Sequence, residues 1–104
     1  MSALVPQIVA AVDFLNESAN IPTTSLFTPA ADGWYRVNAY YTHISGTGGA
    51  QPHFYWTDEA GVSQQSQVDQ ARSIYVKGGN PIQADATSYA GTAVYNLRFV
   101  IESL

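Results

Sequence analysis

The chain has 104 residues, four basic and eight acidic side chains, a formal net charge of −4 and no cysteine. This length fits one domain with one core, and a hydrophobic content of 46% excludes intrinsic disorder. The excess of acidic residues argues against phosphate-driven binding of nucleic acid and against binding to an anionic membrane surface. The lack of cysteine excludes disulfide scaffolds and thiolate chemistry. No apolar run reaches the roughly 18–20 residues of a membrane span, and we expect no cleaved signal sequence.

The first 22 residues allow two interpretations, a helix or an extended arm. Apolar residues between Leu4 and Leu15 fit a helical stripe, but they also fit an extended segment that joins a sheet. We favour the extended arm, because the β-prone sequence downstream requires sheet partners. The arm is more apolar than a free terminus should be, so we predict that it is the main adhesive element. Its expected contacts with a partner chain are Leu4, Val5, Ile8 and Val9.

The remaining residues, 23–104, are predicted to form a β-sandwich domain that follows the arm of residues 1–22. Short β-prone runs alternate with turn residues at spacings typical of sandwiches and barrels. The predicted strands cover residues 23–28, 34–44, 53–57, 62–68, 72–76, 82–87 and 93–102. Residues 45–50 are predicted to be a flexible loop, and residues 58–61 a hairpin turn. The predicted fold class is therefore all-β, an antiparallel β-sandwich.

The two longest predicted strands show the alternation that identifies a core face. Successive side chains of a strand point to opposite sides of the sheet, so residues of one parity share a face. The apolar parity of these strands predicts the following core residues: Tyr35, Val37, Tyr41, Tyr95, Leu97, Phe99 and Ile101.

Few residues suggest catalysis or metal binding. His43 and His53 are the only histidines, and with Asp58 or Glu59 they contain ligand types that zinc accepts. Their spacing matches no metal motif, however, and polar residues at strand ends explain them as well. The serines occur in no nucleophile motif, and no two carboxylates are recognisably paired. We therefore expect no enzyme activity, no cofactor and no metal.

Outward-facing aromatic residues are the most informative feature of the predicted strands. Trp34 and Tyr40 share the polar parity of their strand, and Trp56 is of opposite parity to Tyr55. Exposed aromatic rings can stack on sugars, can be buried at a subunit interface, or can cover a small sandwich. The sequence thus marks Trp34, Tyr40 and Trp56 as interface or glycan-binding candidates.

Five segments of the chain share a characteristic pattern of apolar and turn positions: Thr24–Pro29, Asp32–Tyr40, Tyr55–Asp58, Ser88–Gly91 and Tyr95–Glu102. In this pattern the chain resembles small jelly-roll domains of the TNF/C1q-like kind and short structural proteins of tailed bacteriophages. The resemblance extends over about residues 8–104 and includes no catalytic signature. It implies a jelly-roll topology and a homotrimer.

The resemblance also implies a virion component, and we expect a capsid decoration (cement) protein. Such a protein binds the major capsid protein and stabilises the shell on the capsid surface, after synthesis in the host cytoplasm. The alternative is a glycan- or receptor-binding module, for example a tail-fibre head or carbohydrate-binding domain, and a hydrolase is a distant third.

Overall fold

The computed structural model describes residues 6–67, 71–89 and 91–104, and every regular element in these ranges is a β-strand. The strands in chain order are β1 (Gln7–Glu17), β2 (Ile21–Phe27), β3 (Gly33–Ser45), β4 (Gly49–Thr57), β5 (Ser63–Gln67), β6 (Arg72–Val76), β7 (Ile82–Tyr89) and β8 (Val94–Ser103). All strand pairings are antiparallel. The predicted all-β antiparallel sandwich is confirmed.

The eight strands form two four-stranded sheets that pack face to face. Sheet 1 has the order β1-β8-β3-β6, and sheet 2 has the order β2-β7-β4-β5. The only consecutive strands that pair are β4 and β5, and every other connection carries the chain from one sheet to the other. Strands distant in sequence therefore become neighbours, such as β1 and β8.

The core lies between the sheets and is built by the alternating apolar residues of both. Val37, Tyr95, Leu97, Phe99 and Ile101 are all at most 1% exposed. The predictions for these residues are confirmed. Tyr35 and Tyr41, also predicted for the core, are half-buried and pack against its margin.

Strand β1 settles the conformation of the described part of the N-terminal arm, which is extended. It pairs along β8, from Gln7 opposite Ser103 to Glu17 opposite Tyr95. Its register shifts near Val9 and again before Glu17, where Asn16 adopts a φ of 53°. The helical interpretation is wrong for these residues, because β8 supplies the sheet partner that an extended segment needs.

The prediction of a flexible loop over residues 45–50 is wrong at both ends. Strand β3 continues to Ser45, strand β4 begins at Gly49, and Gly49 and Ala50 are buried. A Cβ atom at Gly49 would lie 2.8 Å from the Tyr89 hydroxyl oxygen. Glycine therefore allows the tyrosine to approach the backbone closely at this position.

The predicted turn at residues 58–61 is confirmed as the β4–β5 hairpin. The Gly61 amide donates to the Asp58 carbonyl oxygen at 3.0 Å. The Asp58 carboxylate accepts from the amides of Ala60 and Val62 at 2.9 and 3.0 Å. These two bonds and a third from Gln64 lower the Asp58 pKa below its usual value, the bond from Val62 having the largest effect.

Candidate functional site on the outer sheet faces

The outward side of sheet 1, called here the sheet-1 face, carries large apolar side chains that the fold leaves exposed. Two lie on β1, Ile8 and Leu15, each 63% exposed. Two lie on β3, Trp34 at 54% and Tyr40 at 68%. Single exposed apolar residues are normal on protein surfaces. Four large ones on the same face make the sheet-1 face the candidate interaction surface among the described residues.

Two ion pairs occupy the sheet-1 face between these apolar residues. Arg98 Nη1 lies 3.3 Å from Asp13 Oδ2, across the β1–β8 pairing. Arg36 Nε lies 3.0 Å from Glu102 Oε1, across the β3–β8 pairing. The hydrogen bond from Arg36 lowers the Glu102 pKa, and the same bond raises the Arg36 pKa. The four charges cancel, so the face is neutral within a chain of net charge −4.

A shallow groove crosses one end of the sheet-1 face. Its volume is about 290 Å³. Tyr40 and Leu15 contribute to its apolar lining, and Asp13, Arg98 and Asn96 are among its polar lining residues. An apolar rim around paired charges can accept a protein side chain without leaving a buried charge unpaired.

The predicted contact residues of the arm differ in their exposure to solvent. Ile8 is exposed on the sheet-1 face, as a partner-binding residue requires. Val9 is half-buried and packs against the core, because β1 shifts register at this residue. Leu4 and Val5 lie outside the described residues.

Of the three predicted outward aromatic residues, Trp34 and Tyr40 are exposed and Trp56 is not. Trp56 is 7% exposed and lies in the core with Phe54, which is fully buried. The guanidinium carbon of Arg72 lies 5.6 Å from the centre of the Trp56 ring and covers it. The assignment of Trp56 to an outward surface is therefore wrong. The two faces of β4 are thus the reverse of the predicted ones. Tyr55 faces outward, and its hydroxyl group binds a polar partner there.

That partner is Asp85, which organises the outward side of sheet 2, called here the sheet-2 face. Tyr55 donates a 2.7 Å hydrogen bond to Asp85 Oδ2, and His53 Nδ1 lies 3.2 Å from Asp85 Oδ1. The Thr23 hydroxyl also reaches Asp85 Oδ2, at 3.3 Å. The bond to Asp85 is the largest of the effects that raise the Tyr55 pKa. Four side chains from β2, β4 and β7 are thus held in one network.

The sequence did not reveal this network, because β7 reaches β4 only through non-local pairing. His53 stands opposite Asp85, and Tyr55 stands opposite Gln83. Each of these residues lies on the outward face of its own strand, and alternation along the strand was the signal in the sequence that could have shown this. The register between the strands, which brings the residues together, was not readable from the sequence.

The two histidines do not form the metal site considered above. His43 lies on β3 in sheet 1 and His53 on β4 in sheet 2. His43 Nε2 lies 3.0 Å from the Gly46 carbonyl oxygen, and His43 Nδ1 lies 3.1 Å from the Tyr41 hydroxyl oxygen. The described residues contain no group of three or more histidine, cysteine or acidic side chains arranged to hold a metal ion.

No protein-family model matches the sequence, and no curated protein is significantly similar to it. In the described ranges, the structure has no helix of the length and apolar character needed to cross a membrane.

Proposed function

We propose that the chain is a non-enzymatic structural protein of a tailed-bacteriophage virion, a capsid decoration protein that binds and stabilises the shell as a homotrimer. The observation that carries the proposal is the sheet-1 face, where exposed apolar side chains surround a charge-neutral centre. The resemblance of the sequence to small jelly-roll proteins of phages supplies the virion setting and the number three.

The strand order supports a jelly-roll interpretation of the sandwich. Jelly rolls combine eight antiparallel strands in two sheets through Greek-key connections. Here the first strand lies beside the last, and the sheets interleave as β1-β8-β3-β6 and β2-β7-β4-β5. This arrangement joins the first and last described strands in the same sheet, as suits a rigid protein that reinforces a shell.

Self-association through the sheet-1 face is favoured by its charge. Copies of a chain with net charge −4 repel one another over most of their surface. On the sheet-1 face, Asp13 is paired with Arg98 and Glu102 with Arg36, so copies can approach there without net repulsion. The exposed rings of Trp34 and Tyr40 belong to residue types that are enriched in the cores of protein interfaces.

Attachment to the capsid is assigned to the N-terminal arm and the adjacent edge of sheet 1. Among the described strands, β1 lies at the edge of its sheet, with β8 as its one neighbour. A free edge can add main-chain hydrogen bonds to an extended segment of a partner. The proposed contacts are Leu4 and Val5 in the arm and the exposed Ile8, with Val9 supporting β1 from the core side. Three such arms on one trimer would multiply weak contacts with the major capsid protein.

The proposal is tested by co-sedimentation of the purified chain with empty capsids assembled from the major capsid protein of the same genome. We expect saturable binding with a copy number that is a multiple of three, and a higher temperature of capsid disruption. Equal recovery of the chain with and without capsids in the pellet would contradict the proposal.

A further inference from the structure

The sheet-2 face has a chemical character opposite to that of the sheet-1 face. Strand register aligns its side chains in two parallel rows across the sheet. One row runs Ser25, Gln83, Tyr55 and Gln65, and the other runs Thr23, Asp85, His53 and Gln67. Every member is polar or aromatic, and Asp85 is the only carboxylate in the two rows. No lysine, arginine or large aliphatic side chain interrupts them.

Two aromatic rings stand side by side in the middle of these rows. The centroids of the His53 and Tyr55 rings lie 6.4 Å apart, with an angle of 33° between their planes. Asp85 holds both rings through its two carboxylate oxygens. The rings are therefore fixed before any ligand arrives, which reduces the entropy cost of binding.

Neutral hydrogen-bonding groups surround the rings. The Gln83 amide donates to the Ser25 hydroxyl at 3.1 Å, while Gln65 and Gln67 are exposed on β5. Amide and hydroxyl groups both donate and accept hydrogen bonds. A depression of about 120 Å³ adjoins Tyr55 and is lined by Gln83, Gln64 and Pro81 among others.

We propose that the sheet-2 face binds a neutral oligosaccharide. A sugar presents C–H faces that pack on aromatic rings, and the His53 and Tyr55 rings can supply that contact. Its hydroxyl groups both donate and accept hydrogen bonds, and the amide and hydroxyl side chains of the two rows do the same. Residues of one face recur about every 6.6–6.8 Å along a strand, so the two rows can contact successive parts of an extended chain. The lack of a lysine or arginine in the rows, together with the Asp85 carboxylate, disfavours an acidic sugar. This site goes beyond the virion role and uses the other sheet.

The test is titration of the ¹⁵N-labelled full chain with a panel of neutral hexasaccharides, namely β-1,4-glucan, α-1,4-glucan, β-1,4-mannan and β-1,4-xylan. Hexagalacturonate serves as the acidic probe. We expect saturable amide shifts on β4, β5 and β7 with at least one neutral probe, and weaker or no binding of hexagalacturonate. Absence of saturable shifts with all four neutral probes, or tighter binding of the acidic probe, would overturn the proposal.

Two variants with matched chemistry locate the site. Gln83→Ala removes the amide that lies between Ser25 and Tyr55 in the first row and should weaken sugar binding by about tenfold. Gln7→Ala removes an exposed amide from β1 in sheet 1 and should leave binding unchanged. Equal affinity of the two variants would contradict the assignment, as would shifts confined to sheet 1. Gln83 lies in sheet 2, whereas the proposed self-association surface lies on sheet 1. We therefore expect Gln83→Ala to keep the oligomeric mass of wild type while it loses sugar affinity. The two proposals can thus fail independently of each other.

Discussion

At the scale of single residues, the Phe99 ring contacts both its own sheet and the opposite one. Its ring packs edge-on against Phe14 of β1 and against Phe54 of β4, with centroid distances of 5.9 and 5.4 Å. We expect Phe99→Ala to lower the free energy of unfolding by about 3–5 kcal/mol, measured by denaturant titration. Val100→Ala, on the outward side of the same strand, is the control and should cost less than about 1 kcal/mol. A near-neutral Phe99→Ala would contradict the described core.

The Asp58 carboxylate should make the stability of the hairpin depend on pH. Its folded-state pKa lies below the usual value of 3.8, because it accepts hydrogen bonds from Val62, Gln64 and Ala60. A lowered pKa means that the charged form stabilises the fold above the unfolded-state pKa, and that this contribution is lost as pH falls through the folded-state pKa. Asp58→Asn should therefore be less stable than wild type at pH 7 but should approach it below about pH 4. A difference that stays constant from pH 7 to pH 2.5 would contradict this role.

Residue-level prediction from the sequence worked where alternation was uninterrupted and failed where both parities were aromatic. In β8 the apolar residues Tyr95, Leu97 and Phe99 alternate with polar ones, so the inward face could be read directly. In β4 both parities carry rings, so alternation alone could not identify the inward face. Tyr55 faces outward and binds Asp85 of the neighbouring strand, whereas Trp56 is buried. That information is not local to β4.

At the scale of elements, β1 shows how tertiary pairing decides an ambiguous segment. Its apolar residues fit both a helical and an extended period, and the sequence favoured the extended form only through the need for a sheet partner. The partner is β8, which begins 77 positions after the end of β1 at Glu17. The sequence could thus predict that β1 is a strand, but it could not predict the neighbouring strand of β1 or the register of their pairing.

Two truncations should separate the part of the N-terminal segment that binds from the part that folds. Deletion of residues 2–9 removes the arm and the first rungs of β1, but it retains Phe14 and its contact with Phe99. We expect this variant to fold cooperatively, with lower stability, and to lose most of its affinity for capsids. Circular dichroism, thermal unfolding and capsid co-sedimentation measure these properties.

Deletion of residues 2–17 is the contrasting variant. It uncovers the whole edge of β8 and removes Phe14, so we expect aggregation or failure to fold. Capsid binding by the shorter deletion that equals wild type would show that adhesion lies elsewhere and that the arm serves only as an edge strand.

At the scale of the whole molecule, the two outer faces divide the surface by chemistry. The sheet-1 face is apolar and charge-paired, and the sheet-2 face is rich in uncharged hydrogen-bonding groups around Asp85. Composition gives the net charge and the hydrophobic content of the chain, but it cannot divide polar and apolar surface between the two sheets. The division depends on which strands become neighbours, which is a property of the topology.

Self-association of three copies through the sheet-1 face is the central proposal, and sedimentation equilibrium at micromolar concentration tests it most directly. We expect wild type to have a mass of about 34 kDa, which is three copies of 11.2 kDa. Tyr40→Glu replaces an exposed ring with an added negative charge, which ends the charge balance of the face, and should give the monomer mass of 11.2 kDa. Val62→Glu changes an exposed apolar residue near the β4–β5 turn and should remain trimeric. A monomeric wild type, or a Tyr40→Glu variant as trimeric as Val62→Glu, would contradict the claim.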